Sequence, residues 1–299
     1  NNSNSNTMTI ITSNDRMALV DWCYGVVDHC QYSRETVASA MDMVDRFLST
    51  PSNSTADKAL RSPDILQLLV VTALYVAIKL NGRVVMSSAL FAEITRYVYT
   101  VQEHEDMERT LLSGLSWRCC APTASQIGHS ILSLILPHVD VSDASWGYLM
   151  DEMIYQIEYA VRDYYFSTQR PSTIAMAAIS NAIESIGNEA HKGMLKTCLS
   201  GILECYDFNH DDLVAAAKRK LQCLVQGGSI IEEGTGSSSQ AIIHDSIKTS
   251  KRSLFSLASL DQNTMESLDD FMKTFSTNSE DKRMPLPQAP FTAATATAT

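Results

Sequence analysis

Residues 64–80 (DILQLLVVTALYVAIKL) constrain the fold more than any other stretch of this chain. Ile65, Leu66, Leu68, Leu69, Val70, Val71, Ala73, Leu74, Val76 and Ala77 occupy nearly every side of a helix of 3.6 residues per turn. A helix that is apolar all round cannot lie on a surface with one face in water. The segment predicts the central, buried helix of a bundle, and it stays short of the roughly 20 apolar residues of a membrane span.

The rest of the chain supplies the helices such a core needs. Leu19, Trp22, Cys23, Val26 and Val27 share one face of a segment at about 15–30. Val37, Ala40, Met41, Val44, Phe47 and Leu48 do the same after Ser33, to about Ser49. A polar linker with Pro near each end covers 50–63, and two short amphipathic helices are predicted at about 86–97 and 101–115. Pro122 marks a junction, after which helical patterns recur at about 123–136, 143–166, 171–186, 191–206 and 209–225. Five helices followed by five of comparable length suggest a duplicated all-α bundle. The predicted organisation is a disordered N-terminal segment over 1–14, helical domains over 15–121 and 122–225, and a mostly disordered Ser/Thr/Gly-rich tail over 226–299. Within that tail, 253–275 carries apolar residues (Leu257, Leu260, Leu268, Phe271, Met272, Phe275) in a loosely amphipathic pattern.

Charge and motifs narrow the function. Acidic residues outnumber basic ones by 34 to 23, for a net charge of −11, which argues against a binder of nucleic acid phosphates. The seven cysteines form no CxxC pair and share no ligand spacing with the seven histidines, so neither a metal nor a cofactor is predicted. No Gly-rich phosphate loop, HExxH or GxSxG is present, and no catalytic residue is assigned. The N-terminus shows neither a starting Met nor a basic-then-apolar leader, which predicts a fragment of a nuclear or cytoplasmic protein with protein partners.

Four ordered segments carry a family resemblance. Arg16-Met-Ala-Leu-Val-Asp-Trp22 resembles the R-x-[IL]-L-V-D-W entry helix of the cyclin box, and Val44-Asp45-Arg46-Phe47-Leu48-Ser49 resembles its DRFLS helix end. Leu66-Gln67-Leu68 through Ala77-Ile78-Lys79 is similar to its central helix, and Tyr99-Thr100, Met107-Glu108, Leu111, Leu112, Leu115 and Trp117 follow the pattern of its last one. The match keeps order and spacing over about 105 residues. In the second half, Arg170-Pro-Ser-Thr-Ile-Ala175 resembles the C-terminal cyclin fold more loosely.

The resemblance implies two tandem five-helix cyclin folds and a heterodimer with a cyclin-dependent Ser/Thr protein kinase, controlling cell-cycle progression. It implies that Lys79 and Glu108 meet on the kinase-facing surface, with Val76, Leu80, Leu112, Leu115 and Trp117 as apolar ground. Arg16 and Asp45 are implied as a structural pair joining two packed helices. Leu19, Trp22, Leu66 and Gln67 match a groove that docks kinase substrates or inhibitors.

Some positions depart from the family pattern. Leu80-Asn81-Gly82-Arg83 replaces an aromatic followed by acids, Asp15 replaces a Met, and Gly25 stands where an acid pairs with basic substrate motifs. A groove lacking its acid should bind such motifs weakly. Thr50-Pro51 and Ser62-Pro63 are minimal proline-directed phosphorylation sites. The competing readings are a cyclin-fold transcription factor, which needs a basic stripe, a transcriptional-kinase cyclin, and a non-activating scaffold, which need not keep Lys79 and Glu108.

Overall fold

A computed structural model of the chain describes residues 12–51, 53–82, 86–95, 97–205 and 211–226. The tail from 227 onward, with its amphipathic stretch at 253–275, and Arg83 fall outside these residues, as do 1–11 of the N-terminal segment. Every regular element among the described residues is helical. In chain order they are α1 (Ser13–His29), α2 (Glu35–Leu48), α3 (Ser54–Ala59), α4 (Pro63–Asn81), α5 (Ser88–Ile94) and α6 (Val101–Gly114). These are followed by α7 (Ala124–Ile135), α8 (Asp143–Arg162), α9 (Tyr164–Ser167), α10 (Pro171–Ser185), α11 (Glu189–Cys205) and α12 (Asp211–Val225).

Helix α4 is the axis of the first lobe, packed between α2 and α6. Pro63 opens it, since a residue without an N–H costs nothing in the first turn. Leu69, Val71, Ala73, Leu74, Ala77 and Ile78 are wholly buried within one apolar cluster running from Leu19 to Cys119. By length and hydropathy α4 passes for a membrane span, with a mean of 1.6 over its most apolar window. That window is 67% buried inside the bundle, as expected of a core helix. Near the end of α6 a side chain at Gly114 would press on Phe47, its Cβ 2.6 Å from the ring, so glycine there lets α6 close on α2.

The second lobe builds its own cluster, from Ala124 to Leu221, around α10. Ala175, Ala177, Ala178 and Ala182 are all buried there, and their small size lets α8 and α12 approach closely. Asn181 ties the three helices together, donating to Gln156 Oε1 on α8 (2.9 Å) and to the Lys218 carbonyl on α12 (3.1 Å).

Three local features differ from the sequence expectation. Helix α1 starts at Ser13 rather than Asp15, because Thr12 and Asp15 form a capping box in which Asp15 Oδ2 accepts from Thr12 N (2.7 Å) and Oγ1 (2.9 Å). The linker 50–63 contains α3, whose cap Asn53 accepts from the N–H groups of Thr55 and Ala56; six residues are too few to show periodicity. The segment expected as one helix over 143–166 breaks at Asp163, which leaves helical geometry and caps α9 by accepting from Tyr165 N (2.8 Å).

A polar seam joins the lobes. The Tyr24 ring lies between the guanidinium groups of Arg34 (4.2 Å) and Arg162 (4.7 Å). Arg34 pairs with Glu158 (2.8 Å) and Arg162 with Asp21 (2.6 Å), while Thr123 Oγ1 donates to Glu35 (2.7 Å).

Candidate functional site

Parallel packing of α4 and α6 sets the geometry of the site. Thr72 Oγ1 lies 3.4 Å from His104 Nδ1, about two turns of α4 and one turn of α6 before the surface is reached. His104 is buried, edge-on to Phe91 and Tyr99, and its Nε2 has no partner. Burial holds its imidazole below the usual histidine range, only slightly offset by Glu103. Seven residues further along α4 and four along α6, Lys79 Nζ meets Glu108 Oε1 at 2.6 Å. The Tyr75 ring lies 4.9 Å from the same ammonium, stacks on Phe91 at 4.8 Å, and is anchored by its hydroxyl donating to the Met86 carbonyl (3.2 Å). Lys79 is therefore held from two sides.

The five apolar residues expected around this pair divide by burial. Leu80 and Trp117 are open to solvent, at 48% and 72% exposure, and Leu112 is half-buried. Val76 and Leu115 are buried in the first lobe's own core and offer a partner no surface, because they lie on the inner sides of α4 and the α6 C-terminus. Trp117 owes its exposure to the backbone. Ser116 (φ 50°) and Trp117 (φ 62°) are consecutive left-handed residues, closed by Trp117 N donating to the Leu112 carbonyl (2.9 Å). For residues with a side chain this conformation costs about 1–2 kcal/mol each. It ends α6 abruptly and turns the indole outward.

Arg16 and Asp45 join α1 to α2 in a bidentate pair at 2.5 and 2.9 Å, with side chains only 11% and 19% exposed. Arg16 Nε also reaches the Val161 carbonyl of α8 (3.3 Å), so the pair touches both lobes. Burial pushes the Asp45 carboxyl up, against the pull of the Arg16 guanidinium.

The expected docking groove is largely closed. Leu19, Leu66 and Gln67 are buried, and Trp22 alone of the four is partly open. The indole N–H of Trp22 and the amide nitrogen of Gln67 are enclosed without partners. Asp15 does not face a ligand either, since it is consumed in the α1 cap. Open space surrounds Gly25, as expected where an acid is missing.

Sequence reasoning passed over Tyr75 and His104. Tyr75 stands four residues before Lys79, one helical turn back on the same face, and that spacing was a usable signal. His104 gave none, because its burial depends on α5 folding over it. Among the described residues no group of three His, Cys, Asp or Glu side chains is placed to hold a metal.

The profile described as "Cyclin, N-terminal domain" matches residues 2–120. The chain is 28% identical over 209 residues to putative cyclin-A3-1 of Arabidopsis thaliana, covering 66% of this chain and 56% of that protein. It is 35% identical over 116 residues to cyclin-A2 of Xenopus laevis, covering 39% of this chain and 26% of that one. The chain thus spans little more than half the length of such relatives at most. In fold it is similar to a viral cyclin from herpesvirus saimiri, with a TM-score of 0.55 at 14% identity over 73% of this chain and 87% of that one.

Proposed function

Through residues 2–120 the chain belongs to the cyclin family, and on that premise we propose that it is a regulatory subunit, itself without catalysis, that binds and activates a cyclin-dependent Ser/Thr protein kinase in the cell cycle. The observation that carries this reading is the Lys79–Glu108 pair, with exposed Leu80 next to Lys79 in sequence and exposed Trp117 in the turn that ends α6. A donor and an acceptor, held side by side and bordered by apolar surface, suit a partner helix whose flanking backbone offers one acceptor and one donor. In the free chain the two side chains satisfy each other, so neither is left unpaired before the kinase arrives. Docking exchanges one ion pair for two charge-assisted hydrogen bonds. Leu80 and Trp117 are the apolar anchors, and aromatic anchors of this kind carry most interface energy.

A protein kinase is active when the ion pair to its C-helix is formed and its activation loop is ordered. A subunit that binds the active C-helix position more tightly than the inactive one shifts that equilibrium. Going from 1:99 to 99:1 takes about 5.5 kcal/mol of differential affinity, within reach of an ordinary interface. Action in the nucleus or cytoplasm is part of the same proposal. Co-purification with candidate kinases tests it: wild type retains one, and Lys79→Ala with Glu108→Ala loses it. Equal retention by the double variant would remove the assigned interface.

A further inference from the structure

Thr50-Pro51, after α2, and Ser62-Pro63, between α3 and α4, are the same minimal motif for a proline-directed Ser/Thr kinase, yet the fold holds them differently. Thr50 Oγ1 donates to the Arg46 carbonyl (3.1 Å), which ties the hydroxyl to the last turn of α2. A phosphate on Thr50 would lose that hydrogen bond and stand at the negative end of the helix. Ser62 is the N-cap of α4, with extended backbone (φ −131°, ψ 112°) and a hydroxyl that makes no cap hydrogen bond. It is partly exposed and follows exposed Leu60 and Arg61. Arg61 and Lys58, one and four residues before it, are exposed and in no ion pair among the described residues. With Asp57 and Asp64 they leave 57–64 neutral, so a phosphate added there enters no field of like charge.

We propose that Ser62 is a modification site, phosphorylated by a proline-directed Ser/Thr kinase, and that Thr50 is not an acceptor while the chain is folded. Ser62 Oγ attacks the γ-phosphorus of the nucleoside triphosphate that the kinase holds. The Oγ–P bond forms as the bond from phosphorus to the β–γ bridging oxygen breaks. The nucleoside diphosphate leaves with that electron pair, and the hydroxyl proton passes to the kinase's catalytic Asp. Entry into a kinase cleft asks little of this loop. The acceptor is already extended, and α3, at six residues, is too short to stay helical by itself. Once attached, the phosphate stands at the positive end of α4, with the Arg61 and Lys58 side chains available to pair with it. The site lies at the opposite end of α4 from Lys79, and the inference does not rest on the kinase-activating role.

Incubation of the folded full chain with a purified mitogen-activated protein kinase and magnesium ATP, read by site-resolved mass spectrometry, tests it. Phosphate should accumulate on Ser62 about fivefold or more faster than on Thr50, whose hydroxyl must first leave the Arg46 carbonyl. Thr50→Ser, which makes the two acceptors alike, should not close the gap. Equal labelling of the two positions, or none at Ser62, overturns the proposal. Melting of the purified phosphorylated chain gives a second reading. The folding equilibrium should shift toward the folded state by about two- to fivefold, and the gain should shrink in high salt. A phosphorylated chain no more stable than the unmodified one overturns the placement of the phosphate at the α4 end.

Discussion

Lys79 and Glu108, 29 residues apart in sequence, lie 2.6 Å from each other at the surface of the unpartnered chain. They are held there by two parallel helices rather than by the strength of their attraction. Partly exposed pairs of this kind contribute about 0–1 kcal/mol, because solvent screens them and both long side chains lose freedom. Glu108→Ala should therefore leave the urea midpoint nearly unchanged while lowering kinase affinity by about tenfold or more. Parallel measurement of unfolding and binding checks the split; a large stability loss would make the pair structural.

Asp45→Ala should behave in the opposite way. Removing it leaves the Arg16 guanidinium, already 11% exposed, without its bidentate partner at the junction of α1, α2 and α8. Breaking one member of such a pair costs about 3–5 kcal/mol. Chemical denaturation should show this loss, with kinase affinity per folded molecule preserved. An unchanged midpoint contradicts the structural role.

His104 predicts a pH dependence. Its folded form gives up the proton more readily than an unfolded histidine, whose ordinary value is about 6.5. The unfolded chain therefore binds more protons as the pH falls through that value, and stability declines with it. The contribution is complete above about pH 7 and is lost on acidification toward the depressed folded value. Melting curves between pH 7.5 and 5.5 should fall more steeply for wild type than for His104→Phe, which cannot take a proton among Phe91 and Tyr99.

The turn after α6 makes a separable prediction. Glycine adopts left-handed geometry without strain, so Ser116→Gly should stabilise the chain by about 1 kcal/mol. Trp117→Ala should leave stability almost untouched, since the indole is 72% exposed, yet weaken kinase binding strongly. Isothermal titration against the kinase alongside thermal melts distinguishes the two. A Trp117→Ala variant that binds normally removes the indole from the interface.

What the sequence made legible followed from periodicity and ordered motifs. The all-round apolar pattern of 64–80 placed the core helix, while the pairing of Lys79 with Glu108 and of Arg16 with Asp45 was implied by the resemblance to the cyclin box. Burial of individual neighbours was less readable. Val76 lies one turn from Leu80 on α4 and Leu115 two residues from Trp117, and only the packing of α4 and α6 decides which pair faces inward. The left-handed turn at Ser116 and Trp117 had no signal, because neither residue favours that geometry. Nor did the seam around Tyr24, where Arg34 and Arg162 converge from opposite lobes.

The central claim is that Lys79 and Glu108 present a donor and an acceptor, in that order, to a kinase. Exchanging them, Lys79→Glu with Glu108→Lys, keeps an ion pair between α4 and α6 and reverses what the partner meets. The rate of substrate phosphorylation by the cognate kinase, measured with wild type and with the exchanged variant at matched melting temperatures, reads the claim directly. The account predicts that wild type activates and the exchanged variant does not. Equal activation by both would contradict it.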